Sequence, residues 1–204
     1  MVKCLPLIGS IDKVYEGCIL GKQHRDSFPV GKSWRASKPL DLVHEYICGP
    51  MQTLSLNKKK YFIIFVDDFS RRTWVYFMKE KFDAFVIFQE FKALVEKKSG
   101  YCLKTLRTDR GGEFTSNKFD SYCKMYGIER QLTTSYTPQQ NAIVERKNGT
   151  IVEMARSMMK GKNLPNIIWA KVVVTSIYFL NRFPTRSVQN ITPYHAWCGR
   201  KPNV

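Results

Sequence analysis

Two carboxylates stand in stretches of sequence that could bring them together around a hard cation. Asp109 follows a short apolar run and precedes Arg110-Gly111-Gly112, which is typical of a turn at the end of a strand. Glu145 lies in a helical pattern whose start is marked by Thr137-Pro138 and by Gln140, the last residue of a capping box. Carboxylate oxygens are preferred ligands of Mg²⁺, so the pair would supply part of a divalent-cation site.

The spacing of the pair does not identify the site by itself. Asp109 and Glu145 are separated by 35 intervening residues, and the chain has 17 acidic residues. Among so many carboxylates, roughly one pair would have this separation by chance. The sequence surrounding the two residues therefore has to carry the interpretation.

Longer motifs surround both carboxylates and continue along the chain. They read TDRGGEF, SYTPQQN and ERKN near the pair, and LDLVHEYICGP, KKYFIIFVDDFSRRTWVYF, FKALVEKKSG, IVEMARSM and LNRFPTRSV elsewhere. In these motifs the chain resembles the catalytic core of copia-type retrotransposon integrases, from about Cys18 to Val204. The resemblance implies a ribonuclease H-like fold and an activity that trims DNA ends and transfers them into target DNA.

The resemblance also implies three catalytic carboxylates, and one of them is missing here. The second and third match Asp109 and Glu145, whereas the first falls at Tyr46. In the family these residues hold Mg²⁺ or Mn²⁺. A neutral phenol with a pKa of about 10 is a poor ligand for such cations. We therefore expect weak or no binding of Mg²⁺ or Mn²⁺ and impaired strand transfer.

Three nearby carboxylates could be considered as replacements for the missing ligand. Glu45 is adjacent to Tyr46, but successive strand side chains point to opposite faces. Asp67 and Asp68 end an apolar run and precede a turn, so we expect turn and cap roles for both. Their use as surrogate ligands, in a surviving metal-dependent nuclease, stays open as an alternative.

Two further departures from the family pattern fall at functional positions. Gly149 replaces an arginine one helical turn after Glu145, which removes a phosphate contact and weakens the helix by about 1 kcal/mol. Tyr15 stands three residues before Cys18, where a zinc-binding Cys-x-x-Cys would have its first cysteine. No paired histidines precede it, so we predict no zinc. Our hypothesis is an element copy no longer selected for activity.

The charge of the chain favours a polyanionic partner. It has 204 residues, 33 of them Lys or Arg and 17 Asp or Glu, giving a formal net charge of +16. Such a surplus is typical of nucleic-acid-binding proteins. We predict phosphate contacts of DNA, both element ends and target, at Arg107, Arg110, Arg146 and Lys147. This binding would be non-specific and salt-sensitive, and a non-catalytic nucleic-acid-binding module is the competing function.

Other features bear on location and assembly. Six cysteines are scattered without metal-ligand spacing, and neither a secretory signal nor a membrane-spanning run is found. We therefore expect a reduced, intracellular protein with no membrane partner, and the resemblance implies the nucleus. Association of the chain into a homo-oligomer stays an open alternative.

Periodicity predicts an α/β domain with a five-stranded mixed sheet flanked by helices. The predicted strands are 42–48, 61–66, 73–78, 102–106 and 128–132, and the predicted helices are 82–98, 117–126, 138–161 and 165–181. Strand and helix alternate late in the chain, so the later strands should be parallel. We assign residues 1–38 to a largely irregular remnant of a zinc-binding pre-integrase region, 39–185 to the catalytic core and 186–204 to a truncated extension. Regular structure should end at Pro184.

Overall fold

A central sheet of five strands organises the part of the chain that the structure describes. The computed structural model describes residues 35–202 except Arg110, Thr115 and residues 133–137, and at residues 113 and 138–141 it describes the backbone alone. All of these belong to one unit, residues 35–204. The predictions at Tyr15, Cys18 and Arg110, and the cap at Thr137 and Gln140, lie outside the described residues.

The sheet is mixed, as predicted. Its strands are β1 (Val43–Cys48), β2 (Tyr61–Asp67), β3 (Thr73–Met78), β4 (Thr105–Thr108) and β5 (Glu129–Leu132). Their spatial order is β3-β2-β1-β4-β5. The first three strands are antiparallel, whereas β4 runs parallel to β1 and β5 parallel to β4. Residues 49–60 connect β1 to β2 and the short turn 68–72 connects β2 to β3, whereas the parallel strands need helical crossovers.

Strand β4 begins three residues later than predicted. The backbone N–H of Leu103 donates to Glu96 Oε1 at 2.8 Å, so a side chain of the preceding helix takes this group before the strand begins. The ladder with β5 then starts at Thr105. The shift matters because it places Asp109 directly after the last residue of β4.

Five α-helices lie in the described residues. They are α1 (Ala84–Ser99), α2 (Asn117–Met125), α3 (Pro138–Gly161), α4 (Trp169–Arg182) and α5 (Pro193–Cys198). Helix α1 ends where Gly100 takes a left-handed conformation with φ of 72°, and Ser116 Oγ caps α2 by accepting from Phe119 N. The bounds predicted for α3 are confirmed.

Helices cover both faces of the sheet. On one face Val43, Ile63 and Phe65 pack against Phe88 and Phe91 of α1. On the other face, Phe62, Ile64 and Val66 pack against residues of α3 and α4, among them Val144, Ile151 and Trp169. Strand β2 is buried on both faces, which explains its unbroken apolar sequence.

The prediction that regular structure ends at Pro184 was wrong. A 3₁₀ turn (Arg186–Val188) and helix α5 follow it. Thr192 Oγ1 accepts from His195 N at 3.0 Å, Pro193 occupies the first helical position, and Gly199 ends the helix at φ of 71°. Trp197 then packs edge-on against Trp74 of β3, with ring centroids 4.8 Å apart. Within the described residues, no helix is long and apolar enough to cross a membrane.

Candidate active site

The register of the parallel strands brings Tyr46 and Asp109 side by side. Strand β1 pairs with β4 so that His44 lies opposite Arg107, an offset of 63 residues. Continuing this offset by two residues places Asp109 next to Tyr46. Because alternate residues of a strand share a face, Tyr46 and Asp109 project from the same face as His44 and Arg107.

Glu145, on helix α3, is the third residue of this site. Tyr46 packs against the core layer that also holds Val144, the neighbour of Glu145. Burial raises the pKa of the Tyr46 phenol, and the Cys48 thiol and the carboxylates of Glu145 and Asp109 raise it further. This electrostatic effect agrees with the strand register for Asp109 and with the packing of Tyr46 on the layer of Val144 for Glu145. We call Tyr46, Asp109 and Glu145 the carboxylate corner.

The turn after β4 orients Asp109. Its Oδ1 accepts a hydrogen bond from Gly111 N at 2.8 Å, while Thr108 Oγ1 donates to the Asp109 carbonyl at 3.0 Å. Asp109 is half-buried and Glu145 is exposed. The strand-end turn expected from the glycines is therefore present, and it fixes one carboxylate while the helix presents the other to solvent.

Two polar groups beside the corner were missed by sequence reasoning. The side chain of Asn148 forms a hydrogen bond with the Cys48 thiol, whose pKa burial raises. Asn148 Oδ1 is buried without a hydrogen-bond partner among the described residues. Asn148 lies one helical turn after Glu145, and Cys48 lies two residues after Tyr46 on the same strand face. These spacings were the available signal.

The donor set does not fit a centre of two divalent cations. The corner offers two carboxylates and a phenol that stays protonated at neutral pH, because its already high pKa is raised. Such a centre is built from shared, ionised oxygen ligands. Across residues 35–202, apart from the gaps given above, no three His, Cys, Asp or Glu side chains are grouped to hold a metal ion.

The carboxylate of Asp67 is held by hydrogen bonds at the turn between β2 and β3. Its carboxylate accepts from Leu40 N at 2.8 Å, from Ser70 N at 2.8 Å and from Ser70 Oγ at 2.6 Å. The side chain is buried, and burial raises the pKa of this carboxyl. Asp67 pairs with Val43, three residues before Tyr46, so it lies about 10 Å from the corner along the strand.

The carboxylate of Asp68 is also held by hydrogen bonds. It accepts from Ala36 N at 2.8 Å, from Arg71 at 2.8 Å and from His44 Nε2 at 3.0 Å. Burial opposes its ionisation, but the His44 hydrogen bond and the Arg71 charge outweigh that and lower the pKa of Asp68 to about 2. Turn and cap chemistry therefore accounts for both Asp67 and Asp68, and neither contributes an oxygen to the corner.

Glu45 lies on the opposite face of the sheet. Its strand neighbours Val43 and Ile47 belong to the core layer of helices α1 and α2, whereas Tyr46 belongs to the layer of α3 and α4. Glu45 itself is buried. The alternation expected from the sequence therefore points this side chain away from the corner, although its charge also helps to raise the pKa of Tyr46.

Three of the basic residues predicted to contact DNA can be placed. The Arg107 guanidinium is half-buried and donates to Gln131 Oε1 on β5, at 3.3 Å from Nε and 2.7 Å from Nη2. Arg146 is exposed and donates from Nε to the Ala142 carbonyl at 3.0 Å. Lys147 is partly buried, and burial together with the charge of Arg71 lowers its pKa to about 8. Their contact with phosphate stays a prediction.

Gly149 lies in open surroundings on helix α3. A β-carbon built there would meet no atom within 4 Å. A β-carbon would therefore fit at this position without moving any neighbour. The glycine removes a side chain without solving a packing problem.

The chain is similar in sequence to known proteins. A family model described as "Integrase core domain" matches residues 41–138. The chain is 44% identical over 193 residues to the Pol polyprotein of transposon TNT 1-94 from Nicotiana tabacum, and 31% identical over 201 residues to that of transposon RE2 from Arabidopsis thaliana. These matches cover 95% and 98% of the chain, but it spans only 14% of the length of each relative.

Solved structures share the fold at lower identity. The catalytic core domain of HTLV-2 integrase, in complex with magnesium, superposes with a TM-score of 0.59 at 21% identity, covering 80% of this chain and 99% of that one. A chain of the simian T-cell lymphotropic virus intasome gives a TM-score of 0.67 at 18% identity, covering 89% and 62%. The sheet order, the flanking helices and these likenesses identify the fold as ribonuclease H-like.

Proposed function

We propose a function from the premise that this chain belongs to the integrase core domain family of copia-type retrotransposon Pol polyproteins. In that setting the core would serve DNA integration, through processing of the 3′ ends of the element and strand transfer into target DNA. We propose further that this copy is impaired in both steps. The match to an integrase core model and to plant Pol polyproteins supports the first part.

The observation that carries the second part is the phenol of Tyr46 beside Asp109 and Glu145. The family reaction uses Mg²⁺ or Mn²⁺ to activate the attacking oxygen and to stabilise the leaving one. Asp109 and Glu145 alone would hold a cation weakly, and a protonated phenol cannot act as their third anionic partner. The expected consequence is loss of strand transfer with retention of the fold.

A non-catalytic nucleic-acid-binding module is the second candidate. The net charge of +16 favours it, because the positive charge does not depend on Tyr46. DNA, as element ends and as target, is the proposed partner in either case. A homo-oligomer and a nuclear location complete the proposal, and both follow from the family alone.

A surviving nuclease that recruits a surrogate carboxylate is disfavoured. Asp67 and Asp68 are both buried and hydrogen-bonded within the β2–β3 turn. Moving either one into the corner would leave several backbone and side-chain donors without their acceptor, which costs more than a weak metal contact would return.

A strand-transfer assay tests the proposal. The purified protein, Tyr46→Asp and Tyr46→Phe are compared with an element-end duplex, a target duplex and Mg²⁺ or Mn²⁺. We expect product only with Tyr46→Asp, because only this change supplies a third carboxylate. Tyr46→Phe is the matched control and should stay inactive. Product formed by the unaltered protein would contradict the proposal, and DNA binding without product in any variant would favour the second candidate.

A further inference from the structure

A group of basic side chains lies on the side of helix α3 opposite Glu145. The group belongs to a pocket of about 270 Å³ lined by apolar, basic and hydroxyl side chains. We call it the α3 basic pocket, and its described lining residues are Val66, Ile143, Arg71, Arg146, Lys147, Thr150, Thr185 and Ser187.

The helix geometry separates this pocket from the carboxylate corner. At 100° per residue, Lys147 lies about 200° around the helix from Glu145, on the opposite side of the buried Val144–Ile151 stripe. Glu145 and Asn148 face Tyr46 and Cys48, whereas Ile143, Lys147 and Thr150 face Val66 and Arg71. The pocket therefore does not share a side chain with the corner.

The pocket has an excess of positive charge. Three of its described lining residues are cationic and none is acidic. Arg71 is paired with Asp68 at 2.8 Å. Neither Arg146 nor Lys147 forms an ion pair with a carboxylate in the part of the chain that the structure describes. Two cations beside a partly buried arginine repel one another, and an anion placed among them would relieve that repulsion.

The Thr185 hydroxyl adds to the donor set. Thr150 Oγ1 already donates its one proton to the Arg146 carbonyl at 2.9 Å, so it contributes no donor to the cavity. Thr185 Oγ1 accepts from Ser187 N at 3.4 Å, so its own O–H remains able to donate. Guanidinium, ammonium and hydroxyl groups arranged around one cavity are the usual donors to phosphate oxygens.

The backbone at Arg71 points to the same interpretation. Arg71 has a φ of 61°, in the left-handed region where glycine is the least costly residue. A side chain with a β-carbon is strained in this conformation. The turn nevertheless carries an arginine, whose guanidinium lines the pocket.

We propose that the α3 basic pocket binds a single phosphate group. Its volume is below the range typical of sites for drug-sized ligands, which favours a phosphate over a whole nucleotide. The phosphate could come from a small phosphorylated compound or from the backbone of DNA, since both present the same oxygens. The site does not depend on Tyr46 or on a divalent cation.

Calorimetry with inorganic phosphate tests the pocket directly. The whole protein is titrated in EDTA, with chloride at the same ionic strength as the reference, so that an inactive carboxylate corner cannot affect the result. We expect saturable binding of one phosphate per chain. Lys147→Gln should weaken it roughly tenfold because it removes a charge-assisted hydrogen bond. Arg146→Gln, at an exposed position, is the second variant and should weaken it less.

Lys171→Gln is the matched control, since Lys171 is exposed on helix α4 and lines no part of the pocket. It should leave phosphate binding unchanged, and thermal unfolding verifies that each variant is folded. Phosphate binding no stronger than that of chloride would overturn the proposal. Equal binding by Lys147→Gln and the unaltered protein would overturn it as well.

Competition with DNA assigns the source of the phosphate. A labelled duplex bound to the protein in EDTA is challenged with inorganic phosphate, again at constant ionic strength. Displacement from the unaltered protein but not from Lys147→Gln supports the pocket as a site for a DNA backbone phosphate. Calorimetric binding without displacement of the duplex supports it as a site for a small phosphorylated compound.

Discussion

At the scale of single residues, the phenol of Tyr46 decides what the corner can do. Burial raises its pKa above an already high value, and the charges of Glu145 and Asp109 raise it further. The group therefore stays neutral at physiological pH, where the family chemistry would need an anion. The meeting of Tyr46, Asp109 and Glu145 was predicted because the resemblance of the surrounding motifs to copia-type integrases implies it.

The contacts that sequence reasoning did not find are those that depend on helix phase, including those of Lys147, a residue that the sequence had singled out. Asn148 and Cys48 meet across the gap between α3 and β1. Lys147 and Arg71 share a pocket although 76 positions separate them in the chain. A pattern of apolar residues predicts that a helix forms, but it does not say which polar flank faces which strand.

The buried network at Asp68 predicts an acid-sensitive contribution to stability. The pKa of Asp68 is lowered to about 2 from an ordinary value of 3.8. A lowered pKa stabilises the fold above pH 3.8, and that stabilisation is lost as pH falls through about 2. This contribution to the free energy of unfolding is about 2 kcal/mol. In urea unfolding, Asp68→Asn should lose this amount or more at pH 7 and little near pH 2.

Glu153→Gln is the control for that measurement, because Glu153 is an exposed carboxylate on α3. Its effect should stay within about 0.5 kcal/mol at either pH. If Asp68→Asn unfolded at the same urea concentration as the unaltered protein at pH 7, the structural role assigned to this carboxylate would be wrong.

At the scale of elements, the sequence predicted the strands and helices that have a clear periodic pattern of apolar residues. The first three strands and helix α3 have clear apolar patterns, and all four formed close to the predicted bounds. Strand β4 shifted because the Glu96 side chain takes the Leu103 amide, a contact that no pattern contains. Helix α5 was missed because Pro184 was treated as a final stop, although Thr192, Pro193 and Gly199 carried its own start and stop signals.

Helix α3 is weakened at a place where nothing requires a glycine. Gly149→Ala should raise the free energy of unfolding by about 1 kcal/mol, because alanine has the higher helix propensity and its β-carbon meets open space. Chemical unfolding measures the change. Gly49→Ala is the contrasting control: its φ is +125°, and a β-carbon there would lie 2.9 Å from the Lys60 carbonyl oxygen and the Tyr61 ring.

The alanine at position 49 should therefore destabilise the fold while the alanine at 149 stabilises it. A loss of stability in Gly149→Ala would mean that the glycine has a structural purpose. The hypothesis of relaxed selection at this position would then be wrong.

At the scale of the whole molecule, the net charge of +16 sets how the chain should meet DNA. Each phosphate contact contributes roughly −0.9 to the slope of log affinity against log salt concentration. We expect non-specific binding whose affinity falls steeply with salt. The double change Arg146→Gln and Lys147→Gln should reduce the magnitude of the slope by roughly two.

Fluorescence anisotropy with two duplexes of unrelated sequence provides this measurement. Both duplexes should bind with similar affinity, because phosphate contacts carry no sequence information. Lys171→Gln again serves as the control and should change the slope less than either single change in α3. A slope unaffected by the double change would remove Arg146 and Lys147 from the DNA-binding surface.

Binding of Mn²⁺ and Mg²⁺ to the protein and to Tyr46→Asp, followed by calorimetry at pH 7, tests the central claim most directly. The carboxylate corner lacks a third carboxylate, so we predict weak or undetectable binding to the unaltered protein. Tyr46→Asp should bind at least about tenfold more tightly, and Tyr46→Phe should match the unaltered protein. Tight binding of two cations by the unaltered protein, with no gain in Tyr46→Asp, would contradict the account.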